Sequence, residues 1–144
     1  MESSESAVDI SVVLPVYNEA GSLPDLIPEI TEVLSRLARS YEIVAVDDGS
    51  SDDSVRVLRR LQKEEPRLRI VEFRRNFGQT AAFGAGFDYA QGDVIVTMDA
   101  DGQNDPGDIP RLLDVMDEGD YDLVNGWRQA RKEPFLTRRL PSMV

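Results

Sequence analysis

Three short apolar runs in this chain each stop abruptly at polar or acidic residues. Ile10–Val16 gives way to Tyr17-Asn18-Glu19, residues 41–46 to Asp47-Asp48, and residues 94–98 to Asp99-Ala100-Asp101. The runs are rich in β-branched residues, with little polar alternation (Ser11 is an exception). That pattern predicts strands buried on both faces, and the runs are too short for helices. Strands buried on both faces need helices on both sides, which is a three-layer α/β/α arrangement around a mainly parallel sheet. In such sheets ligands bind just beyond the carboxyl ends of the strands. The three acidic or polar turns therefore belong on one edge.

The segments between the runs fit this plan. Ser22 is placed to cap a helix carrying Leu23, Leu26, Ile27, Ile30, Val33, Leu34 and Leu37 at helical spacing. Pro24 suits its first turn, whereas Pro28 predicts a kink or a later start. Ser51 or Asp52 caps a second helix with a stripe of Val55, Leu58 and Leu61, ending before Pro66. Residues 68–73 read as a third strand. After Gly78 comes a helix with Ala81, Ala82, Gly84, Ala85 and Gly86, small residues that suggest close packing onto the sheet or a ligand. Beyond a turn at 104–108, Ile109, Leu112, Leu113 and Met116 make a short amphipathic helix, and residues 122–125 a fifth strand.

The composition removes several chemistries. There is no histidine and no cysteine, so Ser-His-Asp catalysis, His- or thiolate-bound zinc and disulfides are excluded. The net charge of −11 argues against nucleic acid as a partner. Hydrophobic residues at 41% suit a globular core. No run approaches the roughly 20 apolar residues of a membrane span, so the chain as given reads as soluble. Residues 1–9, acidic and Ser-rich, read as a disordered terminus. Residues 128–139 carry Arg128, Arg131, Lys132, Arg138 and Arg139 against Glu133 alone. The core is expected at residues 10–127. Residues 128–144 would be a basic segment leading to a membrane-associated region beyond the chain.

What remains is chemistry by carboxylates, Arg, Lys, Tyr or metal-bound water, and carboxylates gather at the shared edge. Asp99 and Asp101, with the amide oxygen of Gln103, offer hard oxygen ligands suited to Mg²⁺ or Mn²⁺. An ion held this way keeps positions open for water or phosphate oxygens, which suggests a metal–diphosphate site. The alternative is a loop of solvated acids capping the next helix. Other motifs fail on detail. An EF-hand loop begun at Asp99 needs glycine at position 104 and glutamate at 110, where Asn104 and Pro110 stand. Walker A is absent, and Gly78, Gly84 and Gly86 do not form a dinucleotide fingerprint after the first strand.

Residues Val13-Leu14-Pro15-Val16-Tyr17-Asn18-Glu19, Val46-Asp47-Asp48-Gly49-Ser50 and Asp99-Ala100-Asp101-Gly102-Gln103, in this spacing, resemble the family 2 glycosyltransferases of the GT-A (Rossmann-like) fold. Arg75-Asn76-Phe77-Gly78-Gln79-Thr80-Ala81-Ala82 is similar to the branch acting on polyprenyl phosphates, which includes the dolichol-phosphate mannose synthases and the undecaprenyl-phosphate sugar transferases. The resemblance implies that Pro15, Tyr17, Glu19 and Asp47 line the nucleobase and ribose pocket, with Asp48 near the same nucleotide. Asp99, Asp101 and Gln103 would bind the metal on the donor diphosphate, with Asp99, Asp101 and Arg128 as catalytic positions. Arg75 or Asn76 would face sugar or phosphate, and Arg128, Arg131 and Arg138 would receive the acceptor phosphate. Family members usually have leucine where Gly102 stands and Pro-Pro where Asp105-Pro106 stands. Neither departure removes the proposed metal ligands.

The implied activity is metal-dependent, inverting transfer of a sugar from a UDP- or GDP-linked donor to polyprenyl phosphate, at the cytoplasmic face of a membrane in a longer protein, with homo-oligomerisation as one possibility. The alternatives are transfer to a glycan hydroxyl, which needs a carboxylate base beyond this chain, and a nucleotide-sugar binding module without turnover.

Overall fold

The computed structural model describes residues 8–119, 123–125 and 135–138. Its elements run β1 (Ile10–Val16), α1 (Leu23–Ser35), β2 (Tyr41–Asp47), α2 (Ser54–Glu64), β3 (Leu68–Glu72), α3 (Gln79–Tyr89), β4 (Val94–Thr97), a 3₁₀ turn (Pro106–Asp108), α4 (Ile109–Gly119), β5 (Leu123–Asn125) and β6 (Phe135–Arg138). The sheet order is β3-β2-β1-β4-β6-β5. The first four strands are parallel, and β6 runs antiparallel to both its neighbours. The expected α/β fold with a mainly parallel sheet is what forms.

Side chains alternate between the two faces, as a pleated strand requires. Ile10, Val12, Leu14 and Val16 of β1, with Ile43 and Ala45 of β2, meet α1, α2 and α4 in the larger core. Val13, Val44, Val46 and Ile95 face the other way, where Ala82, Phe83, Ala85 and Phe87 of α3 cover them. The register Val12↔Ile43 and Leu14↔Ala45 keeps both strands' large-core residues on the same face. The small residues of α3 divide by face. A Cβ on Gly86 would stand 2.2 Å from Val13 Cγ1, so this glycine lets the helix lie close on β1. Gly84 meets nothing within 4 Å, and Ala81 is exposed. The contact is with the sheet, through Ala82 and Gly86.

Several local expectations need correction. The first helix starts at Leu23 and runs through Pro28 as one element, so no late start occurs. Pro28 is exposed, and five buried residues of the apolar stripe hold the helix despite the missing donor. Ser22 occupies the N-cap position but makes no cap bond. Its hydroxyl donates to the carbonyl of Ala100 instead. At α2 the N-cap is Asp53, and the Asp52 carboxylate accepts from Ser54 N at 2.9 Å. In that helix Val57, not Val55, joins Leu58 and Leu61 in the core.

The last strand was not foreseen. The basic segment 128–144 is expected to lead to a membrane-associated region, and its residues 135–138 form β6 between β4 and β5. The sheet therefore extends past the expected boundary at residue 127. Arg128 and Arg131 lie outside the described residues, as do residues 1–7 of the N-terminus. Asp9 is tied down by its N–H to Ser40, 2.9 Å from Oγ.

Candidate functional site

The parallel register brings three loops level. Val16 pairs with Asp47, and Thr97 of β4 pairs with Val13, three residues before the end of β1. The loops after β1 and β2 are laced together. Asn18, with φ +54°, turns its Oδ1 to accept from the backbone N–H of Ser51 at 2.8 Å and of Asp52 at 3.2 Å. In return Ser50 Oγ accepts from Asn18 N at 2.8 Å, and Ser54 Oγ accepts from Glu19 N at 2.8 Å. Ser22 links this pair to the third loop through Ala100.

The adjacent aspartates divide the work. Asp47 is 1% exposed. Its Oδ2 accepts from Ser50 N at 3.0 Å, while its Oδ1 is buried with no hydrogen-bond partner among the described residues. Asp48, 4% exposed, accepts from Asn76 Nδ2 at 3.0 Å, Phe77 N at 2.7 Å and Gly78 N at 3.0 Å. One buried carboxylate thus shapes the whole entry into α3, a load that charge-assisted bonds from backbone donors can carry. Between the loops Gly49 has φ +73°, and a Cβ there would stand 2.3 Å from the carbonyl carbon of Arg75. Only glycine fits.

These loops enclose a cleft of about 260 Å³. Pro15, Val16 and Tyr17 form one side, Asn76, Gly78 and Gln79 another, and Glu19, Asp48, Asp99 and Asp101 give it four acids and, among the described residues, no base. The electrostatic consequence appears at Glu19. Burial pushes its carboxyl above the usual 4.5, the hydrogen bond from Ser22 opposes this, and the charges of Asp101, Asp52 and Asp99 raise it further. Asp99 is held from two sides: its N–H donates to Asn104 Oδ1 at 2.6 Å, and its Oδ1 accepts from Gln79 Nε2 at 3.0 Å. Asp101 is exposed, and its Oδ1 accepts from Gln103 N at 3.0 Å.

The donor set fits a divalent ion in one particular manner. Among the described residues no three or more carboxylates converge as a protein cage. Mg²⁺ is usually held by one or two carboxylates together with water and phosphate oxygens, not by a dedicated cage. Asp99 and Asp101, on the lining of a cleft that carries four acids, meet that requirement, and a cation there would offset their charge against an entering diphosphate.

The remaining expected positions scatter. Pro15, Tyr17, Glu19, Asp48, Asn76, Asp99 and Asp101 all line the cleft; Asp47 and Gln103 do not. Arg75 lies just outside, its guanidinium 4.3 Å from the centroid of the exposed Phe77 ring. Arg138 pairs with Val94, the first residue of β4, whereas the acid loop follows the last. Its backbone therefore sits toward the opposite edge of the sheet. Gln79, to which the motifs assign no role, also lines the cleft. Its signal was available, since it opens α3 directly after a glycine. What hid it was topology: α3 follows β3 at the sheet margin but lies over β1 and β2.

Residues 11–144 match the family described as Glycosyl transferase family 2. The chain belongs to that family. Among its relatives, an undecaprenyl-phosphate 4-deoxy-4-formamido-L-arabinose transferase of Klebsiella pneumoniae is 45% identical over 136 residues, which is 94% of this chain and 41% of the relative. A dodecaprenyl-phosphate galacturonate synthase of Rhizobium johnstonii is 41% identical over 137 residues, 94% of this chain and 40% of the relative. The chain thus spans about two fifths of these relatives. The family 2 member resembles the polyprenyl-phosphate branch, as its motifs implied. Its fold is shared with the mannosyltransferase PcManGT of Pyrobaculum calidifontis, solved with GDP-Man and Mn²⁺, at a TM-score of 0.76 and 20% identity, covering 96% of this chain and 48% of that one. It is shared likewise with the glucosyl-3-phosphoglycerate synthase of Mycobacterium tuberculosis in complex with UDP, at a TM-score of 0.72 and 20% identity, covering 92% and 57%.

Proposed function

We propose that this domain binds a nucleotide-diphosphate sugar with Mg²⁺ or Mn²⁺ and transfers the sugar, with inversion, to a polyprenyl phosphate. The observation that carries the reading is the cleft at the strand ends, lined by four acids and, among the described residues, no base, with loops that hydrogen-bond to one another. Tyr17, Pro15 and Glu19, which line the cleft, would flank the nucleoside, and Asp99 and Asp101 would hold the ion. Asp47, buried and outside the cleft lining, would contribute through the Ser50 turn that its Oδ2 holds.

When bound, a divalent ion supplies a Lewis acid that stabilises charge on the departing diphosphate. The chain's own residues set the geometry. Asp48 fixes the loop that forms one wall, and Asn18 and Ser22 hold the other loops in register. An oxygen of the acceptor phosphate forms the new bond to the anomeric carbon, and the carbon–oxygen bond to the diphosphate breaks with its electron pair. The charge at carbon in between is oxocarbenium-like. A phosphate monoester has its second pKa at about 6, so it arrives ionised and needs no strong base. That suits a chain without histidine.

The relatives named for undecaprenyl- and dodecaprenyl-phosphate substrates support a polyprenyl phosphate acceptor. The basic residues 128–139 would then meet the anionic membrane surface, at about 1 kcal/mol per residue. Among the described residues no helix is long and apolar enough to cross a membrane. The test is to incubate the chain with UDP- and GDP-sugars and either undecaprenyl phosphate or a glycan acceptor, with and without Mn²⁺, and to analyse the products by mass spectrometry. Sugar on the lipid phosphate, formed only with the metal, is the expected result. Sugar appearing instead on a glycan hydroxyl, or donor bound without product, would displace this reading in favour of a glycan acceptor or a binding module.

A further inference from the structure

We infer that Gln79 is the positioning residue of the metal site, holding Asp99 in its ligating orientation. The inference rests on the metal reading above and extends it to a residue outside the acidic motif. A carboxylate only accepts, so the Gln79 amide presents its nitrogen, and Nε2 stands 3.0 Å from Asp99 Oδ1. The main chain of Asp99 is fixed separately by Asn104, at 2.6 Å. Two separate bonds therefore set both the backbone and the side chain of one aspartate.

Gln79 is itself held in place from below. It is the first residue of α3, and the three residues before it are bonded to the buried carboxylate of Asp48. A continuous path runs from Asp48 through Asn76, Phe77 and Gly78 to Gln79 and on to Asp99. It connects the end of β2 to the end of β4 across the cleft. Asp48 thereby acts at a distance on the metal ligand, beyond its place in the cleft wall. Partners in this outer position usually fix the orientation and basicity of the ligand they touch.

Mn²⁺ binding read by electron paramagnetic resonance, in the presence of UDP or GDP, tests this. Gln79 is exposed, so Gln79→Met and Gln79→Ala leave the core untouched. Each is expected to weaken Mn²⁺ binding about tenfold or more, the usual effect of losing an outer partner. In an Asp99→Ala background the same changes should add less than about twofold, because coupled residues are not additive. If Asp99→Ala weakens Mn²⁺ binding and both Gln79 variants match wild type, the positioning role is wrong while the metal site stands. If Asp99→Ala and Asp101→Ala leave Mn²⁺ binding unchanged, the metal reading fails and this inference with it.

Discussion

Gly49 shows how little freedom the site leaves. Its φ of +73° and the 2.3 Å approach to Arg75 let the β2 loop touch the segment that opens α3. Alanine there adds about 1–2 kcal/mol of left-handed strain and a backbone collision. Gly49→Ala should therefore lose more than about 2 kcal/mol of stability by urea unfolding, and the cleft with it. Glu19 offers a second residue-scale test. Its folded-state pKa is raised, so its contribution is present below the unfolded value of 4.5 and is lost as pH rises through the folded value. Glu19→Gln removes that loss. The variant's stability relative to wild type should be higher at pH 7 than at pH 3.5; equal differences at both would show that neither burial nor the neighbouring charges raise it.

At the scale of elements, helix α1 carries a proline where its sequence least favours one. Pro28 removes an internal donor, which in a helix interior costs about 3 kcal/mol. The side chain is exposed, so Pro28→Ala loses no core contact and should stabilise the domain by about 1–3 kcal/mol in urea melts. A decrease would mean that the ring packs in the α1–α2 groove beside Leu61 more strongly than the helix resents it. Strands β1, β2 and β4 were legible because they are buried on both faces and thus mostly apolar, Ser11, Glu42, Asp47 and Thr97 apart. The stripes of α1 and α4 were legible through their period. Strand β6, with Phe135, Leu136, Thr137 and Arg138, was not, because a four-residue strand among basic residues gives neither signal. The N-cap at Ser22 misled for a related reason: its hydroxyl has a long-range partner, Ala100, that no local pattern records.

Across the whole molecule, the acid-bearing motifs were legible as a site because a parallel sheet puts every strand end on one edge. The division of labour within them was not. Which of Asp47 and Asp48 is consumed by structure depends on the loop at 76–78, brought there by the crossover of α3. Nor could sequence alone show that Gln79 reaches Asp99, twenty residues further along the chain. The central claim is that this edge is a single binding surface, made tolerable to its own charges by a cation and a nucleotide together. Calorimetric titration of the chain with UDP and with GDP, each with and without Mn²⁺, and repeated with Asp101→Ala, measures it most directly. Binding of one nucleotide that strengthens with Mn²⁺ and loses that strengthening in Asp101→Ala is the predicted result; affinity indifferent to Mn²⁺, or unchanged in the variant, would contradict it.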